Sequence, residues 1–136
     1  MKFIDTCVLY ASFFRNEKSH AEAKRLMESI LKAKEKAVYS DYVLDELLTL
    51  AKKRKGRKIA SQILDVMVSS EIELIKVGDG NISLALEIFR GYESLSFTDA
   101  TSVAIMLERG ITEICSFDRG FDAVPKISRI AGEAGK

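Results

Sequence analysis

The sequence predicts an α/β domain built around a parallel β-sheet. Five short apolar segments alternate with longer segments of helical periodicity. Strands separated by helices of ten or more residues pair in parallel through crossover connections. The chain has 136 residues, 47% of them hydrophobic, which suits one domain with a substantial buried core. We therefore expect a single domain that spans residues 1–136.

The first half of the chain predicts two strands, each followed by two helices. In the longer segments, apolar residues recur at spacings of three and four, which is typical of a helix with one buried face. Gly56 separates the last two helical segments. The predicted elements are a strand at 2–5, helices at 6–14 and 17–36, a strand at 36–40, and helices at 41–53 and 57–69.

The second half predicts three strands and two helices. A turn signal, GDGN, follows the third strand, and a turn containing Asp118 and Gly120 follows the fourth. The predicted elements are a strand at 72–77, helices at 81–92 and 97–109, and strands at 113–117 and 126–130.

Composition excludes several classes of protein. Lys and Arg number 21 against 20 Asp and Glu, so the overall charge does not indicate a protein that wraps nucleic acid. The two cysteines, Cys7 and Cys115, form no disulfide framework and are expected in the core, and with a single histidine they make a zinc site improbable. No apolar run is long enough to cross a membrane, and Asp5 interrupts the run that a signal peptide would need. We expect a cytoplasmic protein with no membrane partner.

Four acidic residues fall where a parallel sheet gathers its ligands. Asp5 closes the first predicted strand, and Asp118 follows the fourth by one residue. Glu46 and Asp99 lie near the starts of predicted helices. Because ligands of such sheets bind at the carboxyl ends of the strands, where the following helices begin, these four acids could converge.

Each acid also has a simple structural explanation. Asp5 could cap a helix, Glu46 could favour a helix dipole, Asp99 could form a capping box with Ser96, and Asp118 could be a turn residue. Taken together, however, several close carboxylates repel one another unless a cation lies among them. An all-oxygen site suits Mg²⁺ or Mn²⁺, and such an ion can activate water. The sequence has no Ser–His pair, nucleophile elbow or phosphate-binding glycine loop that would indicate another chemistry.

Four segments resemble, in order, the acidic motifs of PIN-domain nucleases, most closely the small VapC-type toxin ribonucleases of prokaryotic toxin–antitoxin pairs. The segments are DTCVLYASFF, YVLDELLTLA, SFTDATSVAIM and CSFDRGFD. The resemblance covers essentially the whole chain. It implies a PIN-like three-layer α/β/α fold with a central parallel sheet of about five strands. It also implies a Mg²⁺- or Mn²⁺-dependent endoribonuclease that hydrolyses RNA phosphodiesters with metal-activated water.

The resemblance assigns roles residue by residue. The acidic quartet, catalytic and metal-binding, falls on Asp5, Glu46, Asp99 and Asp118, and Asp122 matches a further acid that binds a second ion or contacts metal water. The choice of Glu46 over its acidic neighbours rests on the match to the family pattern. The hydroxyl residues that orient the acids or metal-bound water are expected at Thr6, Thr98 and Ser116.

The segment KKRKGRK (52–58) has six cations in seven residues. It is either a solvated helix end or a set of phosphate contacts for RNA. Arg119 could contact substrate or pair with an acid. The residues predicted to bind substrate are Arg119, Lys52, Lys53, Arg54 and Lys55. The resemblance also implies a homodimer and a cognate antitoxin protein as partner.

Four other functions compete with that of a toxin. A PIN nuclease that matures ribosomal RNA has the same motifs and stays open. A PIN module that only binds RNA or a partner is disfavoured because all four acids are present. An aspartyl-phosphate phosphatase is disfavoured because Cys7 stands two residues after Asp5, and a receiver domain because the first strand ends in one acid rather than a pair.

Overall fold

A five-stranded parallel sheet forms the centre of the computed structural model, which describes residues 1–131. The strand order is β3-β2-β1-β4-β5, and every neighbouring pair is parallel. The inner strands carry fully buried residues such as Phe3, Val38 and Ile114, as expected when helices cover both faces of a sheet. The strands are β1 (Lys2–Ile4), β2 (Ala37–Ser40), β3 (Glu73–Ile75), β4 (Glu113–Cys115) and β5 (Ser128–Ile130).

Six α-helices of the described residues flank this sheet, which confirms the predicted α/β fold. They pack in consecutive pairs, α1 with α2, α3 with α4 and α5 with α6. No helix within residues 1–131 is both long and apolar enough to cross a membrane. The helices are α1 (Thr6–Phe13), α2 (His20–Lys32), α3 (Asp41–Lys55), α4 (Arg57–Ser69), α5 (Asp79–Gly91) and α6 (Phe97–Arg109), and a 3₁₀ helix covers Arg119–Ala123.

Several element ends differ from the sequence prediction. The helix predicted over 17–36 is shorter, because Lys34 adopts a left-handed conformation (φ 53°) after the last turn. The strand predicted over 113–117 ends at Cys115, because the backbone N–H of Phe117 donates to Cys7 Sγ instead of to a neighbouring strand. The predicted turn after it contains the 3₁₀ helix. Residues 132–136, the end of the domain predicted over 1–136, lie outside the described residues.

The strand order reverses direction at one point of the sheet, between β1 and β4. From β1 the chain adds β2 and β3 on one side, and it then returns to place β4 and β5 on the other side of β1. The carboxyl ends of β1 and β4 therefore flank the point where the strand order reverses, and α/β sheets bind ligands in the crevice at such a point. Asp5 follows β1 directly, and Asp118 follows β4 after two residues.

Candidate active site

Asp5 joins the first strand to the first helix and to β4. Its Oδ1 accepts a hydrogen bond from the Thr6 backbone N–H at 2.9 Å, which caps α1. Its Oδ2 accepts from the Ser116 hydroxyl at 2.6 Å. The residue is only 4% exposed. The capping role considered for Asp5 is thus confirmed, and the same carboxylate is fixed at the centre of the crevice.

Ser116 links the first acid to the fourth. Its Oγ donates to Asp5 and accepts from the backbone N–H of Asp118 at 3.0 Å. Asp118 in turn caps the 3₁₀ helix, because its Oδ1 accepts from the Gly120 N–H at 2.8 Å. One buried hydroxyl therefore sets the position of both acids, in agreement with the orienting role that the resemblance implies for Ser116.

Asp99 is held by the capping box predicted from the sequence. The Asp99 N–H donates to Ser96 Oγ at 3.1 Å, and the Ser96 N–H donates to Asp99 Oδ2 at 3.0 Å. Asp99 is 8% exposed. Among the described residues, no group donates a hydrogen bond to Asp99 Oδ1 or Asp118 Oδ2. Each cap therefore uses one oxygen and leaves the other for a ligand.

Electrostatics connect the four acids. Burial, together with the smaller effect of the negative charge of Asp99, raises the pKa of Asp5 to about 6, against hydrogen bonds from Ser116, Cys7 and Thr6 that lower it. Burial also raises the pKa of Asp99, and the charges of Asp118 and Glu46 add to that shift. The charged groups that act most on these two buried acids are thus other carboxylates. Asp99 therefore lies within electrostatic range of each of the other three acids.

These residues fit a hard divalent cation. The cluster is anionic and oxygen-rich, which is the donor set that Mg²⁺ and Mn²⁺ prefer. Thr6 Oγ1 is buried without a hydrogen-bond partner among the described residues, and such an atom indicates a water or ligand beside it. In the present side-chain conformations, no three His, Cys, Asp or Glu residues within 1–131 lie close enough to hold one ion. Repulsion between carboxylates favours this separation, so binding would draw them together.

The second acid lies on α3. Glu46 is exposed and acts on the pKa of Asp99, so it lies on the side of the helix that faces the site. Asp41, another acid of α3, has a structural role, because its Oδ1 accepts hydrogen bonds from the backbone N–H groups of Tyr42 and Val77. The choice of Glu46 remains a prediction, which its electrostatic coupling to Asp99 supports.

Asp122 pairs with a residue that the sequence did not single out. Arg129 Nε donates to Asp122 Oδ1 at 2.9 Å and Nη2 donates to Oδ2 at 3.2 Å. This hydrogen bonding lowers the pKa of Asp122. Both carboxylate oxygens of Asp122 therefore accept hydrogen bonds from Arg129. The predicted role of Asp122 as a metal ligand stays a prediction. No sequence pattern indicates the pair, since the two residues meet only through the tertiary structure.

Cys7 contributes more than the core packing expected of it. Its thiol donates to Asp5 Oδ2 at 3.3 Å, and its sulfur accepts from the Phe117 N–H at 3.4 Å. Burial raises the pKa of the thiol to about 12, so it is a neutral donor to the carboxylate. Its position two residues after Asp5, in the first turn of α1, is the signal that could have indicated this contact. Cys115 is fully buried, as predicted.

The remaining hydroxyl and basic residues are distributed differently. Among the described residues, the Thr98 side chain donates to none of the four acids; its carbonyl accepts from Thr101 and Ser102. Arg54 lies over the Tyr10 ring at 5.5 Å and Lys55 over the Phe14 ring at 4.9 Å. These two cations are therefore held against α1. Of the five residues predicted to bind substrate, Lys52, Lys53, Arg54 and Arg119 are exposed and Lys55 is partly buried.

A second concave feature lies away from the acids. An apolar groove of about 1000 Å³ is lined by residues of α1, α2, α4 and the chain just before β2 and β3. It therefore opens at the amino ends of these strands, and none of the four acids lines it. The chemistry of the carboxylates belongs to the opposite edge of the sheet.

Comparison with known proteins identifies the family. The PIN domain model matches residues 2–127. Ribonuclease VapC13 of Mycobacterium tuberculosis is 33% identical over 110 residues, which cover 81% of this chain and 84% of that protein. The 23S rRNA-specific endonuclease VapC20 of the same species is 30% identical over 125 residues, which cover 90% and 93%.

Solved structures share the fold. The crystal structure of M. tuberculosis VapC20, a Sarcin-Ricin loop cleaving toxin, has a TM-score of 0.81 at 27% identity and covers 93% of this chain and 97% of that one. VapBC2 of Rickettsia felis, bound to promoter DNA, has a TM-score of 0.74 at 15% identity and covers 97% and 98%. The second likeness concerns the fold alone.

Proposed function

Because the chain belongs to the PIN-domain family, and within it to the VapC-type ribonucleases, we propose that it is a Mg²⁺- or Mn²⁺-dependent endoribonuclease and the toxin of a toxin–antitoxin pair. The observation that carries the metal dependence is the buried, like-charged pair of Asp5 and Asp99, whose pKa values are raised by burial and by other carboxylates. A fold tolerates such a pair most readily when a cation compensates it.

The chain's own residues account for the arrangement of the site. Asp5, Glu46, Asp99 and Asp118 would hold the ion, which when bound supplies the charge that activates water and stabilises the phosphoryl group. Asp5 is oriented by Ser116 and by the start of α1, and Asp99 is oriented by the capping box. Because these supports use one oxygen of Asp99 and of Asp118, the other oxygen of each can face the ion without loss of the cap.

RNA is the proposed substrate. The curated relatives are named as a ribonuclease and a 23S rRNA-specific endonuclease. Exposed Lys52, Lys53 and Arg119 are available to contact phosphates, which is the sequence-independent part of RNA binding. Phosphate contacts would position RNA on the protein, and the carboxylate cluster would hold the ion that activates water for hydrolysis.

A cognate antitoxin is the proposed partner, together with a second copy of the chain in a homodimer. We place this activity in the cytoplasm, where the RNA and the antitoxin are made. Exposed apolar side chains such as Leu86 and Phe89 on α5 supply surface for such contacts. If the protein is a toxin, its expression should slow the growth of the host cell, and co-expression of the antitoxin should restore growth. Light scattering should give twice the mass of one chain.

The activity is tested by incubating purified protein with structured RNAs in Mn²⁺ or in EDTA. We expect cleavage in Mn²⁺ only, and none with Asp5→Asn. Asp45→Asn is the matched control, because Asp45 is an exposed acid next to Glu46 on α3 and its change should leave cleavage intact. Cleavage that survives both EDTA and Asp5→Asn would contradict the proposal.

A further inference from the structure

Arg129 connects three parts of the chain through one guanidinium group. It lies on β5 with its side chain 12% exposed. Two of its nitrogens donate to the two oxygens of Asp122 on the 3₁₀ helix, and Nη1 donates to the Ser116 carbonyl oxygen at 3.2 Å. A bidentate pair of this kind fixes direction as well as distance. Arg129 therefore ties the edge strand and the 3₁₀ helix to the chain that leaves β4.

The carbonyl that Arg129 holds belongs to the residue that orients two acids. Ser116 Oγ donates to Asp5 and accepts from the Asp118 N–H. The Ser116 N–H donates to the Ile130 carbonyl at 3.1 Å. The backbone of Ser116 is thus fixed at both its N–H and its carbonyl, and its hydroxyl passes that position to Asp5 and Asp118.

The segment after Asp118 has a second attachment, to the chain just before α6. Ser94 Oγ donates to the Gly120 carbonyl at 2.9 Å. A Cβ at Gly120 would lie 2.5 Å from the Ser94 carbonyl oxygen, so the two backbones approach as closely as glycine allows. Phe121 is fully buried between these attachments. The segment is therefore held from two directions, by Ser94 and by Arg129.

We propose that Arg129, held in place by Asp122, is a positioning residue for the metal site. It fixes Ser116, and through Ser116 it fixes Asp5 and Asp118 in the arrangement that binds the ion. Asp122 acts through Arg129 and is not itself a ligand. This inference rests on the proposed metal-dependent function.

The test is a double-mutant cycle read by Mn²⁺ affinity in isothermal titration calorimetry. The proteins are wild type, Arg129→Gln, Asp122→Asn and the double variant. We expect Arg129→Gln to weaken Mn²⁺ binding by about 10-fold or more, in the range typical of residues that support metal ligands. Asp122→Asn should weaken binding less, and it should add nothing in the Arg129→Gln background. In RNA cleavage, kcat should fall while KM stays near the wild-type value.

Lys2→Gln is the matched control. Lys2 also lies on a strand with a side chain 16% exposed, and it pairs with Glu35 at the amino end of the sheet. Its loss should lower the melting temperature without changing Mn²⁺ affinity. If Arg129→Gln does not fold, Arg129→Lys is measured instead, because lysine keeps the charge but cannot reach Asp122 and Ser116 together.

Three results would overturn the inference. Mn²⁺ affinity that is unchanged in Arg129→Gln or Arg129→Lys would show that the ion pair serves stability alone. A further full loss on adding Asp122→Asn to Arg129→Gln would make Asp122 a direct ligand. Wild-type protein that binds no Mn²⁺ would overturn the proposed function and, with it, this inference.

Discussion

Individual acidic residues in this protein can serve both folding and the proposed chemistry. Asp5 caps α1, Asp99 completes a capping box and Asp118 caps the 3₁₀ helix. These structural roles were the alternatives to function in the sequence, yet they occupy only part of each carboxylate. The capping bond also fixes the rotamer, so the structural role prepares the functional one. The capping role of an acid therefore does not exclude its proposed role as a metal ligand.

The buried Asp5 predicts how the stability of the metal-free protein depends on pH. Burial raises its pKa to about 6 in the folded state, whereas the unfolded chain has the ordinary value near 4. The folded protein thus binds a proton as pH falls through 6, while the unfolded chain does not. Lowering the pH from 7 to 5 should add about 1 kcal/mol to the free energy of unfolding from this group.

Urea unfolding in EDTA at the two pH values measures this effect. Asp5→Asn should remove the contribution, and the difference between the two proteins isolates Asp5 from other titrating groups. With Mn²⁺ the trend should reverse, because the ion binds the ionised carboxylates. Equal pH dependence of wild type and Asp5→Asn without metal would contradict the raised pKa.

Among the elements, those defined by local signals were predicted best. The helix predicted over 57–69 has those same bounds in the structure, because Gly56, with φ 92°, separates it from α3. The predicted end of β4 was wrong because the Phe117 N–H donates to Cys7 Sγ, a tertiary contact, instead of to the backbone of a neighbouring strand. The Arg129–Asp122 pair was missed for the same reason. Local sequence carries no signal for partners that only the folded chain brings together.

Gly120, in the 3₁₀ helix, should tolerate substitution by a larger residue poorly. A Cβ there would lie 2.5 Å from the Ser94 carbonyl oxygen, and a backbone atom cannot yield as a side chain would. Gly120→Ala should destabilise the protein by about 1–3 kcal/mol, as overpacking usually does, and should lower RNA cleavage by displacing Asp118.

Gly80→Ala is the control for this substitution. Gly80 lies in α5, and a Cβ there would meet nothing within 4 Å. Alanine in a helix stabilises by up to about 1 kcal/mol relative to glycine. Chemical denaturation of both variants checks the pair, and an unchanged free energy of unfolding in Gly120→Ala would contradict the close approach.

The cations at the end of α3 should have two separable effects, one on stability and one on RNA binding. Arg54 lies over the ring of Tyr10 in α1, and Lys55 lies over the ring of Phe14, the residue that follows α1. Neutralising either cation should cost about 0.5–1 kcal/mol of stability. Lys52 and Lys53 are exposed, so their neutralisation should spare stability and weaken RNA binding. The slope of log affinity against log salt should fall by about 0.7 for each lost phosphate contact to single-stranded RNA.

Fluorescence anisotropy with a labelled RNA at several salt concentrations, using the Asp5→Asn protein to prevent cleavage, measures the slope. The salt slopes of the Arg54→Gln and Lys55→Gln variants are measured for comparison. An unchanged salt slope after both Lys52→Gln and Lys53→Gln would remove these lysines from the RNA-binding surface.

At the level of the whole molecule, the strand order explains why the acids meet. The parallel sheet and the location of acids at its carboxyl edge were predicted from the alternation of strands and helices. The order β3-β2-β1-β4-β5 was not predicted, because periodicity does not reveal which strands are neighbours. That order places β1 beside β4 and so brings Asp5 and Asp118, which lie near opposite ends of the chain, to one crevice.

A single metal site formed by Asp5, Glu46, Asp99 and Asp118 is the basis of the proposed chemistry. The most direct measurement is Mn²⁺ binding to wild type and to the four single carboxamide variants, with Asp45→Asn as control. We expect wild type and Asp45→Asn to bind alike. Each of the four variants should bind at least about 10-fold more weakly, since removing a ligand should cost no less than removing a residue that supports one. Wild-type affinity in both Asp5→Asn and Asp99→Asn would contradict the single site.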